Sequence, residues 1–186
     1  MSLLIGGICL WAAVHFIPTL FPSLKTSVKA KLGEGGYMGL FSLGVLSGLG
    51  LIVMGWRSAQ PSLVYLPPVG LQMLALPLML VAFLLFISAK RNTRLKRILP
   101  HPQLSSLVLW SVAHLLANGD SRSLALFGGL GLWALLEIVL ISRRDGPAAK
   151  VEPPSWGSEI LGLVIAVVVT AVVYVLHPWI AGVPVV

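Results

Sequence analysis

A chain of 186 residues that is 57% hydrophobic and only 10% charged cannot be a soluble domain, because a soluble surface needs far more ionised side chains. Its formal net charge is +7, but the basic residues cluster between apolar runs, which excludes an aromatic-studded nucleic-acid surface and marks membrane topology instead. The single cysteine, Cys9, excludes an internal disulfide and any cysteine-ligated cluster or zinc site, and reads as a packing residue.

Six apolar runs can each cross a hydrocarbon core of about 30 Å as a helix, which takes around 20 residues. The composition therefore predicts one all-α integral membrane domain over residues 1–186, a polytopic bundle of about six helices whose solvent is the lipid bilayer. The first span runs from about Ser2 to Phe21. It has no positive leader region and no cleavage pattern, so it reads as a retained span, and the chain shows no transit peptide. Inside it lie His15 and Pro18. Proline lacks an amide hydrogen and clashes with the carbonyl four residues back, which predicts a kink beside the histidine.

A basic loop carrying Lys25, Lys29 and Lys31 leads to the second span, about Gly36 to Gly55, where Gly44 and Gly48 have the spacing that lets helix backbones approach closely. Trp56 to Pro68 reads as a polar, proline-rich connection. The third span, about Val69 to Ala89, ends in the run Lys90, Arg91, Arg94, Lys96 and Arg97. That run is the strongest topology marker, with binding of anionic lipid or of propionate groups as its secondary reading.

The fourth span, about Gln103 to Asn118, is short and closes on Asn118-Gly119-Asp120, which are turn residues. The fifth runs from Leu124 to near Ser142, so the pair predicts a tight helical hairpin. Glu137 falls near the basic end of that span, where snorkelling or an ion pair with Arg143 and Arg144 is the ordinary explanation. Beyond a linker from Arg143 to Pro154, the sixth span runs from about Ser158 to Leu176, with Ser155 or Ser158 as its cap. His177-Pro178-Trp179 should close it at the interface.

The loops after spans one, three and five carry three, five and three Lys and Arg, while those after spans two and four carry one each, Arg57 and Arg122. By the positive-inside rule, both termini face outward.

The informative comparison is internal. Leu10-Trp11-Ala12-Ala13-Val14-His15 in span one matches Leu109-Trp110-Ser111-Val112-Ala113-His114 in span four, and both read Leu-Trp-x-x-x-His. Spans one and four cross in opposite directions, so the match is the trace that an inverted duplication of three plus three helices leaves. Each histidine shares a helix face with the tryptophan four residues earlier. An ionisable group at such depth is costly without a partner, and two neutral imidazoles on facing helices can satisfy one haem iron. Pairings of His15 with His101, or of His114 with His177, stay open. A neutral histidine bonded to a main-chain carbonyl is the plain structural alternative. Serine-hydrolase and phosphate-loop motifs are absent, and no close His/Asp/Glu cluster suggests a non-haem metal.

The stretch Pro100 to Asp120, with His101-Pro102, Trp110, Ala113-His114-Leu115 and Asn118-Gly119-Asp120, resembles the signature of the NnrU family of membrane proteins. That family includes the 15-cis-zeta-carotene isomerases of plants and cyanobacteria, which use a b-type haem held by two histidines, and bacterial members associated with denitrification. The resemblance implies haem b, with His15 and His114 as iron ligands and Trp11 and Trp110 beside them. It implies a redox or electron-transfer role linked to nitrite and nitric oxide reduction, with a redox partner protein or a lipophilic substrate. The lack of a transit peptide points to a bacterial inner membrane rather than a plastid.

The isomerase branch carries a cysteine, thought to be an alternative iron ligand, three residues before the Ala-His histidine. Here that position is Ser111, whose hydroxyl is a poor iron ligand. A haem-dependent carotenoid cis-trans isomerase is accordingly the second reading, and a cofactor-free membrane assembly factor or scaffold the third.

Overall fold

The structure is a computed structural model that describes residues 1–146, 152, 154–183 and 185. The middle of the Arg143-to-Pro154 linker, at 147–151 and 153, lies outside the described residues. Helices α1 (Ser2–Leu20), α2 (Pro22–Ser58), α3 (Val69–Gln72), α4 (Ala75–Ala89) and α5 (Leu95–Ile98) make the first half. The second half holds α6 (Pro102–Ala117), a single turn α7 (Ser121–Ser123), a π-helical turn (Leu124–Gly128), α8 (Gly129–Asp145) and α9 (Trp156–Ala181). Five stretches are long and apolar enough to span a membrane: Ser2–Leu20, Pro22–Ser58, Val69–Ala89, Ser121–Asp145 and Trp156–Ala181. The sixth, Pro102–Ala117, is shorter. Together they make an all-helical, polytopic membrane bundle.

Two sequence expectations need correction. The basic segment holding Lys25, Lys29 and Lys31 is not a loop, because Pro22 opens a helix that runs through it. Proline suits the first helical turn, where its missing N–H has no partner to lose. The direction changes at Gly33, whose φ of 73° lies in the left-handed region that favours glycine. The last span does not stop at Leu176 either. It continues through His177 and Pro178 to Ala181 and ends on Gly182 in a left-handed cap. Pro18 sits inside α1, as its sequence position places it, and the helix runs on to Leu20. Ser155 caps α9 by accepting from the Ser158 amide.

The helices pack as a row, α2 on α1, α8 between α1 and α6, and α4 between α6 and α9. Glycines set the closest approach. A Cβ at Gly7 would lie 2.7 Å from the Ile52 nitrogen, and one at Gly48 would lie 3.2 Å from the Trp11 nitrogen. Leu4, Ile8, Ile52 and Leu130 form the buried centre, with Trp11, Leu107 and Trp110 packed against it. Helix α8 meets its two neighbours on opposite faces. A Cβ at Gly129 would touch Ile8 of α1 at 3.0 Å, and one at Gly131 would touch Ser111 of α6 at 2.8 Å. Two residues on an α-helix turn by about 200°.

The connection after α2 is extended and folds over the end of α6. Its main chain is satisfied there: the amides of Val64 and Tyr65 donate to the Gly119 carbonyl at 2.9 and 3.1 Å, and the Ser121 amide donates to Ser62 at 2.8 Å. The Tyr65 hydroxyl donates to the carbonyls of Leu115 and Asn118. Gly119 sits so close to the Tyr65 carbonyl that no side chain fits. Irregular backbone at this depth is tolerated only when its polar groups are paired in this way.

Candidate functional site

The two Leu-Trp-x-x-x-His segments adopt the same local geometry. His15 Nδ1 is 2.8 Å from the Trp11 carbonyl oxygen, and His114 Nδ1 is 2.8 Å from the Trp110 carbonyl oxygen. A carbonyl oxygen only accepts, so Nδ1 carries the hydrogen in both rings and Nε2 keeps the lone pair. His177 is held in the same manner, with Nδ1 2.8 Å from the Val183 carbonyl oxygen. Three partly buried imidazoles thus share one tautomer, each with Nε2 left to bind something.

Their surroundings differ. The His15 ring lies 4.4 Å from Trp11, 5.0 Å from Trp133 and 5.3 Å from Phe41, measured between ring centres. The buried indole nitrogens of Trp11 and Trp133 have no partner among the described residues. The His114 ring is stacked on Phe127 at 4.3 Å, lies 5.0 Å from Trp110, and stands 6.4 Å from His177 with 28° between the ring planes. The structure therefore brings His114 together with His177. It places His15 on the α1 side of α8, beside Trp133, and His114 on the α6 side, beside Phe127.

His101, at the start of α6, pairs through Nε2 with the Ser142 hydroxyl at 2.9 Å, away from the other three rings. Ser111 is buried against Gly131, and its hydroxyl has no partner among the described residues. Glu137 was expected to snorkel or to meet the arginines. It is instead only 3% exposed and accepts a hydrogen bond from the Thr19 hydroxyl at 2.9 Å. Arg144 turns to Asp145 at 2.6 Å and to the Pro18 carbonyl. The helical periodicity of α8 carries the reason, since Glu137 lies one turn beyond Trp133 and so shares the face turned to α1. This contact lies 118 residues apart in the chain, and no local pattern signals it.

Among the described residues, no three His, Cys, Asp or Glu side chains gather around one point. Two imidazoles alone are a thin ligand set for a free ion. They suffice for an iron whose other four ligands are macrocycle nitrogens. The donor set at His114 fits a haem on chemical grounds: a neutral imidazole with its orientation fixed by a carbonyl, among apolar aromatic faces.

The arrangement of spans and the paired Trp-His segments describe a multi-pass helical membrane protein with histidine sites inside its bundle. A family model described as NnrU protein matches residues 3–185, and the chain belongs to the NnrU family. Neither a curated protein nor a solved structure matches it.

Proposed function

We propose that this chain is a haem b-binding protein of the bacterial inner membrane, acting in electron transfer with a redox partner protein linked to nitrite and nitric oxide reduction. The observation that carries this reading is the shared anchoring of three partly buried histidines, whose Nδ1 atoms are each engaged by a main-chain carbonyl at 2.8 Å. A hydrogen bond of this kind fixes ring orientation and raises the basicity of the nitrogen left for a metal. The bound group would supply one-electron exchange. The chain would supply the rest: His114 would hold the iron, the resemblance pairs it with His15, and Trp110 and Phe127 would keep water from the imidazole.

An absorption spectrum of the detergent-purified protein, oxidised and reduced, with a pyridine-haemochrome assay tests this reading. A Soret band and a b-type haemochrome are expected. Their absence after reconstitution with haemin would leave the cofactor-free scaffold as the better account. Ser111 ranks carotenoid isomerisation lower, since its hydroxyl is a poor iron ligand and is packed against Gly131. Expression in cells that accumulate the 15-cis substrate should give little conversion. Robust conversion that requires His114 would promote the isomerase.

A further inference from the structure

We propose that the axial partner of His114 is His177 of α9, not His15 of α1. This inference rests on the haem reading above and changes its geometry. A metal bonded to two imidazole nitrogens at about 2 Å each separates the ring centres by about 6 Å. The His114 and His177 centres stand 6.4 Å apart. Each ring is already anchored through Nδ1, to the carbonyls of Trp110 and Val183. Binding on the remaining nitrogens therefore breaks no existing hydrogen bond.

His15 lacks that relationship. It packs against Trp133 while His114 packs against Phe127, six residues earlier and so about 9 Å away along the helix axis. The Gly129 and Gly131 contacts show that α1 and α6 lie on opposite faces of α8. One iron held by both histidines would have to displace the helix between them.

Helix α9 is also the element best able to adjust to a macrocycle. Its buried residues, Gly162 and Ala166, lie in its first half. That half is tied to the basic end of the bundle, where Arg91 donates to Ser158 at 3.0 Å and the Arg94 amide donates to Glu159 at 2.7 Å. Beyond Ala166 the helix is largely open, with Val172, Val175 and Trp179 exposed at 50, 61 and 75%. Its far end reaches His114 through His177. A flat ligand can enter there laterally from the lipid without opening the α1–α2 or α6–α8 contacts. The helix runs on past Pro178, so His177 lies within it, five residues before the Gly182 cap.

The test is spectroscopic and uses full-length protein reconstituted with haemin. His177→Ala and His177→Gln should both convert a six-coordinate low-spin spectrum to high spin while His114 retains the haem, and added imidazole should restore low spin. The glutamine variant keeps a donor for the Val183 carbonyl, which guards against a folding defect. His15→Ala should leave the spectrum unchanged. With 28° between the planes, the oxidised wild type should give a rhombic low-spin electron paramagnetic resonance signal. If the His177 variants stay low spin while His15→Ala becomes high spin, the pairing is overturned and the haem reading stands. A wild type with no Soret band removes both.

Discussion

The Thr19 hydroxyl of α1 donates to the Glu137 carboxyl of α8 at 2.9 Å, across the interface between the two halves of the bundle. With Glu137 only 3% exposed, this is the one hydrogen bond its side chain makes among the described residues. Removing a donor from a buried acceptor leaves its desolvation uncompensated, at about 1–3 kcal/mol. Thr19→Val should therefore lower the melting temperature in detergent clearly, and Glu137→Gln, which keeps an acceptor for Thr19, should lower it less. Equal melting of Thr19→Val and wild type would show that the contact contributes nothing.

The α1–α2 interface should be intolerant of added volume. A Cβ at Gly7 meets the Ile52 backbone at 2.7 Å, and backbone cannot yield as a flexible side chain does. Gly7→Ala and Gly55→Ala should each destabilise by about 1–3 kcal/mol, whereas Gly6→Ala, with open space around it, should be neutral or stabilising. Thermal unfolding of the three variants separates them, and a destabilised Gly6→Ala would contradict the packing described.

Asp120 makes the turn between α6 and α8 sensitive to acid. Burial alone would raise its carboxyl, but hydrogen bonds from the Ser123 hydroxyl, the Ser123 amide and the Arg122 amide, with the Arg122 charge, outweigh it and hold it below the usual carboxylate range. A depressed folded-state value stabilises fully above the unfolded carboxylate range, and that contribution disappears as pH falls through the folded value. Asp120→Ala should cost about 1 kcal/mol as a lost helix cap at neutral pH, and the gap to wild type should close in strong acid. A gap independent of pH would mean that the charge plays no part.

Positive charge at alternate loops predicts that Arg57 and Arg94 face opposite compartments, and the structure puts Arg57 in the last turn of α2 and Arg94 after α4, at opposite ends of the bundle. Cysteines at these positions, in a Cys9→Ala background, should react with an impermeant maleimide from opposite sides of the membrane. Labelling from one side would refute the six-span path.

Much of this was legible because hydropathy and turn chemistry are local. The six apolar runs, the Asn118-Gly119-Asp120 turn and the Ser155 cap lie close to where the residues put them. The helix over Lys25 to Lys31 was hidden by its charge, since a polar segment preceding a span reads as a loop until the Gly33 redirection is seen. Pro178 concealed the length of α9 for a different reason. A proline usually ends a helix, yet here α9 runs on for three residues beyond Pro178 before the Gly182 cap. His114 meeting His177, and Glu137 meeting Thr19, depend on which face each helix turns to which neighbour. Composition constrains that weakly in lipid, where both faces are apolar.

The 16 residues of α6 span about 24 Å at 1.5 Å per residue, against a hydrocarbon thickness of about 30 Å. This mismatch draws the bilayer inward around the Asn118 end or seats the turn below the surrounding surface. His114, three residues before the end of α6, therefore lies about 5 Å along the axis from the end that this mismatch displaces. The path from the His114 ring to the surface at that end of the bundle is correspondingly short. The Ser62 to Tyr65 strap lies over the same end, so the shortened side of α6 is roofed by main chain rather than left open to the membrane surface.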